Sequence, residues 1–328
     1  MRCLVSGATG CLGINLTKRL VKEGHEVIAL GRNQHLGAQV KKLGAHFIAV
    51  DLKDQKALKS IAQNSEVIFH CAALSSPWGK YQEFYQANVL GTHHLINATP
   101  KEARFIHVSS PSIYFDFSEK YNIKEDAPLP RKPVNHYVKT KLLAEQLIDK
   151  AFKEQDLQVI TLRPRAIFGP YDRAILPRLL KAERKGILPI VGKGSNLIDV
   201  TYVDNVVESL LLASQAGEHC FGKKYNISND DPQTLNTIIA LLFESLERKV
   251  QLKYIPFALA KKIGQSLELI YRLPMMNNEP RLTAYSAGVL ALGQTLNIEA
   301  AKQDLAYKPI MTIKEGMTCF AKWYSDHD

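Results

Sequence analysis

Cysteine is scarce and unpaired in this chain of 328 residues: Cys3, Cys11, Cys71, Cys220 and Cys319 are all there is, with no CxxC pair and no histidine at zinc-finger spacing. A disulfide scaffold and a structural zinc site are therefore set aside, no metal is expected, and a reducing compartment is. No apolar run reaches the ~18 residues that a spanning helix needs. The strand-like Arg2-Cys3-Leu4-Val5 runs straight into a glycine loop, so no cleavable signal peptide is expected and the chain reads as cytoplasmic. Repeats and low-complexity tracts are missing too. What is present is an ordinary globular balance, 46% hydrophobic and 23% charged residues, on a length that suits about two structural units. Lys and Arg outnumber Asp and Glu by 42 to 32, a net charge of +10 that suggests anions as ligands without naming them.

Through the first half, apolar runs of strand length alternate with stretches of helical period, the pattern of a parallel sheet covered on both faces. Strands are expected near Cys3 to Ser6, Glu26 to Leu30, His46 to Val50, Val67 to Cys71, Phe105 to Ser109 and Val159 to Arg163. Helices are expected at Leu12 to Lys22, around Leu36 to Leu43, and at Lys56 to Ala62, Tyr81 to Asn97 and Tyr137 to Lys153. Pro164, Pro170, Pro177 and Pro189 then break up the chain, and a soft boundary falls near Arg165. Beyond it, helices are read at Val203 to Ser214, Leu235 to Leu246, Phe257 to Arg272 and Ile313 to Tyr324, with short strands at Lys224 to Ile227 and Gln251 to Ile255. Some of these later segments are expected to return to the first unit.

Gly7-Ala8-Thr9-Gly10-Cys11-Leu12-Gly13 lies between the first strand and the first helix. Glycines permit a tight turn and close approach to a pyrophosphate, and the helix start offers free N–H groups with a partial positive charge. The end of the second strand discriminates between cofactors: a carboxylate there bonds a ribose 2′-hydroxyl, whereas an arginine accepts a 2′-phosphate. Here the residues are Gly31-Arg32, which favours NADP over NAD. Asp51-Leu52 ends the third strand, where Asp51 either accepts from an adenine amino group or caps the following helix.

Tyr137 and Lys141 form the only Tyr-xxx-Lys pair in the chain, and with 13 tyrosines one such pair arises by chance. Context gives it weight. Residues i and i+4 share a helix face, so the Lys141 ammonium can lie beside the Tyr137 phenol and favour phenolate. A second donor for a substrate oxygen is read in Ser110, with Ser109 as the alternative, at the end of the fifth strand on the same rim.

With those residues in hand, the chain resembles an extended short-chain dehydrogenase/reductase, of the NAD(P)-dependent epimerase/dehydratase superfamily, and within it the 3β-hydroxysteroid dehydrogenase-like group. The resemblance runs through the glycine loop, Asp51-Leu52, His70-Cys71-Ala72-Ala73, Asn88-Val89-Leu90-Gly91-Thr92, Ser110, Tyr137 with Lys141, and Leu162-Arg163-Pro164-Arg165-Ala166-Ile167-Phe168-Gly169-Pro170. It continues through Gly192 to Asn196, Tyr202 to Val206, Tyr225-Asn226-Ile227 and Pro280 to Thr283. It implies that Tyr137 is the acid/base, that Lys141 lowers its pKa and holds the nicotinamide ribose, that Ser110 orients the substrate oxygen, and that Asn88 supports a proton-relay water. Gly7, Thr9, Gly10, Cys11, Leu12, Gly13, Arg32, Asp51, Leu52, Ala72, Ala73, Pro164 and Ile167 would meet the cofactor. Two departures stand out: Phe115 follows Tyr114 where many relatives have glycine, and Gly31-Arg32 replaces the acidic NAD signature.

The remaining features are read plainly. His136 points about 100° away from Tyr137 and reads as a surface or packing residue. Cys11 and Cys71 read as small fillers rather than a redox switch. Lys139, Lys141, Arg163 and Arg165 read as a solvated or phosphate-facing set, without the aromatic interleaving of a nucleic-acid surface. The helix from Phe257 carries an apolar stripe that either covers a substrate pocket or touches a membrane, with Pro274-Met275-Met276 after it to suit an irregular apolar ligand.

The expected fold is α/β, a Rossmann-type doubly wound parallel sheet, with residues 1–165 as the dinucleotide unit and 166–328 as a smaller, mainly substrate-binding region. The expected reaction moves hydride between NADP(H) and a secondary alcohol or ketone on a lipophilic small molecule, sterol-like or a β-keto acyl compound. A nucleotide-sugar epimerase, dehydratase or reductase and a non-catalytic NADP sensor are the alternatives. Peripheral membrane contact and a homodimer stay open.

Overall fold

The computed structural model describes residues 1–273 and 278–327, so Pro274-Met275-Met276 lies outside the described residues. Seven strands form one parallel sheet in the order Lys224–Ile227, Val159–Pro164, Arg104–Val108, Val67–His70, Arg2–Ser6, Glu26–Gly31, His46–Ala49. The six strands expected in the first half are all there, each within a residue of its expected ends.

Their sequences are apolar throughout because both faces are covered. Cys3 and Val5 pack into one core with Leu12, Leu16 and Leu20 of the helix Cys11–Lys22 and with Val203 and Val206 of Val203–Gln215. Leu4, between them, packs into the other core with Leu58, Leu95 and Ile148. That alternation is the two-residue period of a strand seen from both sides.

Strand order reverses between Arg2–Ser6 and Val67–His70, which opens a crevice at the carboxyl ends where such sheets bind ligands. The chain crosses the boundary near residue 165 in both directions. Lys224–Ile227 returns to the edge of the main sheet, while Lys120–Ile123 leaves to join Gln294–Leu296 in a four-stranded sheet. Ile187–Val191 pairs with Gln251–Ile255, and Ile167–Phe168 with Thr201–Tyr202.

The segment expected as one helix from Tyr81 to Asn97 is interrupted. Tyr81–Phe84 and Gly91–Ala98 are α-helical, and Tyr85–Leu90 between them is a π turn that carries Asn88. Widened turns of this kind recur at functional sites.

Candidate active site

The glycine loop opens the crevice. Gly7 takes φ +72°, and a Cβ on it would stand 2.7 Å from the Ala72 backbone. On Gly13 a Cβ would stand 2.2 Å from the Gly7 carbonyl. The loop is therefore closed to any larger residue at both positions, which keeps the helix start tight against the strand end. Gly10 caps the helix Cys11–Lys22 with no side chain, and no acid lies in the first turn. The N–H groups of Cys11, Leu12 and Gly13 and the positive end of the helix are left for an anion, so the residues present fit a dinucleotide pyrophosphate.

Around that loop, Thr9 packs beside Gly31, and Arg32 is exposed at the end of Glu26–Gly31. Asn33 caps the next helix, leaving Arg32 with no hydrogen bond or ion pair among the described residues. Asp51 does not cap a helix. Its carboxylate accepts from the Lys53 N–H in a local turn, and Asp54 caps Gln55–Ala62 instead, because the helix begins one turn later. The Leu52 carbonyl is bonded by His94, and Leu52 packs on Gly91. Ala72 lies on Gly7 and donates to the Ser6 hydroxyl, while Ala73 is exposed. Pro164 ends its strand and Ile167 begins a short one just beyond.

Tyr137 sits in the first turn of His136–Gln155, capped by the Asn135 side chain on the Val138 N–H. The hydroxyls of Ser110 and Ser75 lie in hydrogen-bonding reach of its phenol. Ser110 also pairs with Ser112 at 2.9 Å, as the residue that starts the single turn Pro111–Tyr114. Ser109 is not a second choice for substrate, because its hydroxyl is buried and spent on Glu145 at 2.5 Å. Ser75 and Tyr285 were not legible in sequence. Tyr285 belongs to a distant segment, yet its hydroxyl bonds Ser112 and its ring meets Phe115 edge-on at 5.5 Å.

Lys141 is buried and donates to the Val108 carbonyl at 2.7 Å. Burial lowers its pKa to about 8, with Glu145 holding it partly up. Burial also raises the Tyr137 pKa, offset in part by Ser110 and Ser75 and not by Lys141. The lowering of the phenol by Lys141 that the resemblance implied is absent from this arrangement, since the ammonium is turned to the strand carbonyl.

Asn88 accepts from the Leu74 N–H at 2.7 Å and donates to the Leu74 carbonyl at 3.1 Å and to Thr140 at 3.0 Å. It therefore clamps the loop carrying Ser75 to the helix carrying Tyr137. A relay water on this side chain would have to use the second lone pair of its oxygen. Behind it, Ser6 bonds His70 at 2.7 Å, His70 bonds Thr92 at 2.8 Å, and Thr92 donates to the Asn88 carbonyl at 2.6 Å. Burial pulls the His70 pKa to about 3, so this chain from the glycine-loop strand to Asn88 stays uncharged.

Three further readings can be set against the structure. Lys139 is exposed, but Lys141, Arg163 and Arg165 are no solvated set: they are 2%, 3% and 7% exposed, Lys141 on the packed side of the helix His136–Gln155 and the two arginines at the end of Val159–Pro164. The apolar stripe of the helix Phe257–Tyr271 is not packed over the pocket, and the alternative of membrane contact is left standing. Leu259, Ile263, Leu269 and Ile270 face outward, and the packed side is Ala260 and Gly264, whose smallness lets the helix Ala284–Ala291 approach. The Cys11 and Cys71 thiols are raised by burial, Cys71 to about 12, which keeps both protonated and poorly reactive.

A cavity of about 1080 Å³ lies beside the tyrosine, with Trp78, Phe84, Phe117 and Tyr285 on its wall together with the charged Lys80, Lys139, Glu268 and Arg272. Tyr137 is not on its wall, and Tyr285 links the two places. His136 fills a packing role, bonding the Gly79 carbonyl at 3.1 Å and lying edge-on to Tyr81. The Phe257–Tyr271 helix borders the cavity only through its last turn.

Comparison with known proteins places these features. Residues 3–228 match the NAD dependent epimerase/dehydratase family. A 2-alkyl-3-oxoalkanoate reductase from Stenotrophomonas maltophilia is 34% identical over 97% of this chain and 97% of its own length. The mouse sterol-4-alpha-carboxylate 3-dehydrogenase, decarboxylating, is 30% identical over 96% of this chain and 89% of its own. Among solved structures, UDP-glucuronic acid 4-epimerase from Bacillus cereus in complex with NAD superposes with a TM-score of 0.78 over 99% of both chains, at 23% identity, a likeness of fold.

Proposed function

The chain belongs to the NAD dependent epimerase/dehydratase family and is an NAD(P)-dependent enzyme of the short-chain dehydrogenase/reductase type, and from that premise we propose that it interconverts a secondary alcohol and a ketone on a lipophilic substrate, with NADP(H) as the preferred cofactor. The observation that carries the reading is the Tyr137 phenol, flanked by Ser110 and Ser75 beside a partly aromatic-walled cavity. When bound, the dinucleotide supplies or takes up the hydride. In the reducing direction Tyr137 gives its proton to the carbonyl oxygen, and Ser110 donates a hydrogen bond to that oxygen as charge develops on it. Lys141, charged below about pH 8, ties the helix of Tyr137 to the strand end before Ser110 through the Val108 carbonyl.

The preference for NADP rests on Arg32, an unengaged guanidinium where an acid would repel a 2′-phosphate. The lipophilic class is supported by the names of the 2-alkyl-3-oxoalkanoate reductase and the sterol carboxylate dehydrogenase and by the aromatic part of the cavity wall, Trp78, Phe84, Phe117 and Tyr285. A nucleotide sugar would bring a second diphosphate, and Arg178 is already paired at 3.0 Å with Glu279, which lines the cavity. A sensor without turnover has no use for a proton donor flanked by two hydroxyls.

The test is a screen of lipophilic ketones and alcohols alongside UDP-sugars, followed by nicotinamide absorbance and by product analysis. Turnover of the lipophilic set is expected. Conversion of UDP-sugars alone, or cofactor binding with no turnover of either set, would reject the reading.

A further inference from the structure

Arg163 and Arg165 stand two residues apart at the carboxyl end of Val159–Pro164, and their surroundings differ sharply. Arg163 is saturated: it makes two bonds to the Glu145 carboxylate, at 2.9 and 2.6 Å, and others to the Glu125 carbonyl and the Tyr114 hydroxyl. Arg165 is 7% exposed, its Nε is buried without a partner, and its guanidinium makes no hydrogen bond or ion pair among the described residues. The nearest acid to act on it is Asp199, whose Oδ2 is taken by the Leu296 N–H and which does not come within ion-pair distance.

The Arg165 backbone is fixed, donating to the Ile227 carbonyl at 3.0 Å and accepting from the Thr201 hydroxyl at 2.5 Å. Its charge acts on Tyr285, the residue that bonds Ser112 and lines the cavity, and Tyr285 in turn feels the Tyr137 phenol. Arg165 is thus linked to the tyrosine through Tyr285, without itself being on the cavity wall. It is also far from the pyrophosphate cradle: Val159–Pro164 lies three strands from Arg2–Ser6, about 14 Å at the usual spacing. A guanidinium keeps its charge in a protein, and a buried, unpaired one is costly unless a ligand completes it.

We propose that Arg165 receives a carboxylate of the substrate, which is then a β-oxo or β-hydroxy carboxylate with an apolar remainder, the class that the names of the 2-alkyl-3-oxoalkanoate reductase and the sterol-4-alpha-carboxylate 3-dehydrogenase also carry. This deepens the oxidoreductase reading and rests on it. One carbon separates the reacting carbonyl, held at Tyr137 and Ser110, from the carboxylate, which the planar fork of Arg165 accepts in two parallel bonds. One buried guanidinium at this position suits a monoanion better than a diphosphate. In the reduction, hydride adds to the β-carbon and the Tyr137 proton to its oxygen; no bond of the carboxylate changes.

The NADPH-loaded protein is assayed with freshly prepared 3-oxodecanoate and with its methyl ester. The acid is expected to be preferred at least tenfold in kcat/KM. Arg165→Met should raise KM for the acid at least tenfold and leave the ester within about threefold, and Arg165→Lys should restore part of the preference. Equal losses for acid and ester, or no preference in the unaltered protein, would overturn the proposal. Calorimetry of decanoate on the NADP-loaded protein separates it from the reaction. Binding that disappears in Arg165→Met, without turnover of either compound, refutes the oxidoreductase reading and keeps the carboxylate site; neither binding nor turnover refutes both. Removing an unpaired cation should not lower the melting temperature. A marked fall in both Arg165→Met and Arg165→Lys would show a structural partner for the guanidinium and overturn the proposal as well.

Discussion

Lys141 donates its ammonium to the Val108 carbonyl, 2.7 Å away, and not to any carboxylate. Val108 is the last residue of Arg104–Val108, and Ser109 and Ser110 follow it directly. The contact therefore ties the helix bearing Tyr137 to the strand end bearing its partner hydroxyl. It also leaves a buried cation without a counter-ion among its direct contacts, which is why burial prevails and lowers its pKa to about 8.

The stability of the protein should carry that signature. An unfolded lysine titrates near 10.4, so between about pH 8 and that value the unfolded chain holds a proton that folded Lys141 has released. Stability rises with pH wherever the unfolded state binds more protons. Unfolding free energy, measured by urea titration from pH 7 to 10.5, should therefore gain a rising contribution from Lys141 that is missing in Lys141→Met. Identical pH dependence in the two proteins would show that Lys141 is not desolvated.

Tyr137→Phe removes the proton donor and keeps the ring, so turnover should fall by at least 10³-fold while dinucleotide affinity stays within about twofold. Lys141→Met should weaken both, because its bond to the Val108 carbonyl ties the Tyr137 helix to the strand end before Ser110 and, by family resemblance, its ammonium holds the ribose. Titration of the dinucleotide by protein fluorescence, alongside steady-state rates, distinguishes the two variants. Substantial turnover by Tyr137→Phe would remove this tyrosine from the chemistry.

Arg32→Ala should cost NADPH about 10- to 100-fold in affinity and NADH little, from loss of a charge-assisted phosphate contact of about 1.5–3 kcal/mol. Dissociation constants for both cofactors with both proteins decide it. Equal affinities in the unaltered protein would return the choice to NAD.

The main sheet was readable because each of its strands is a local apolar run with punctuation at its end, as in Leu4 flanked by Cys3 and Val5 with Gly7 after them. The same locality made the glycine loop and the Tyr137 and Lys141 pair visible. What was hidden depends on contacts distant in sequence. Tyr285 reaches Ser112 across more than half the chain, and Lys120–Ile123, with two exposed central residues, becomes a strand only by pairing with Gln294–Leu296. The helix Phe257–Tyr271 misled for a related reason. Its apolar period suggested a face turned to a pocket or a membrane, whereas the packed face was chosen by the small Ala260 and Gly264, which permit a close helix approach. Arg163 and Arg165 look alike in sequence, and only the position of Glu145 on another element separates a paired guanidinium from an open one.

Asn88 gives the last prediction, because it holds the site together without facing the reacting atoms in any bond seen here. Its amide completes the Leu74 backbone on both sides and reaches Thr140, whose hydroxyl bonds the Tyr137 carbonyl at 3.0 Å. Asn88→Ala deletes three bonds at once. Leu74 is only partly buried, so water can replace its two partners, and the cost in stability should be about 1–3 kcal/mol rather than the full sum of three buried losses. The larger effect should fall on rate. With the clamp gone, Ser75 is free to drift from the phenol, and a misplacement near 1 Å lowers kcat by about 10²-fold. KM and dinucleotide affinity should change little, since the glycine loop and Arg32 are untouched. Denaturant melts and steady-state kinetics of Asn88→Ala together test this. A fall in cofactor affinity with kcat preserved would show that Asn88 serves the nucleotide groove instead of the tyrosine.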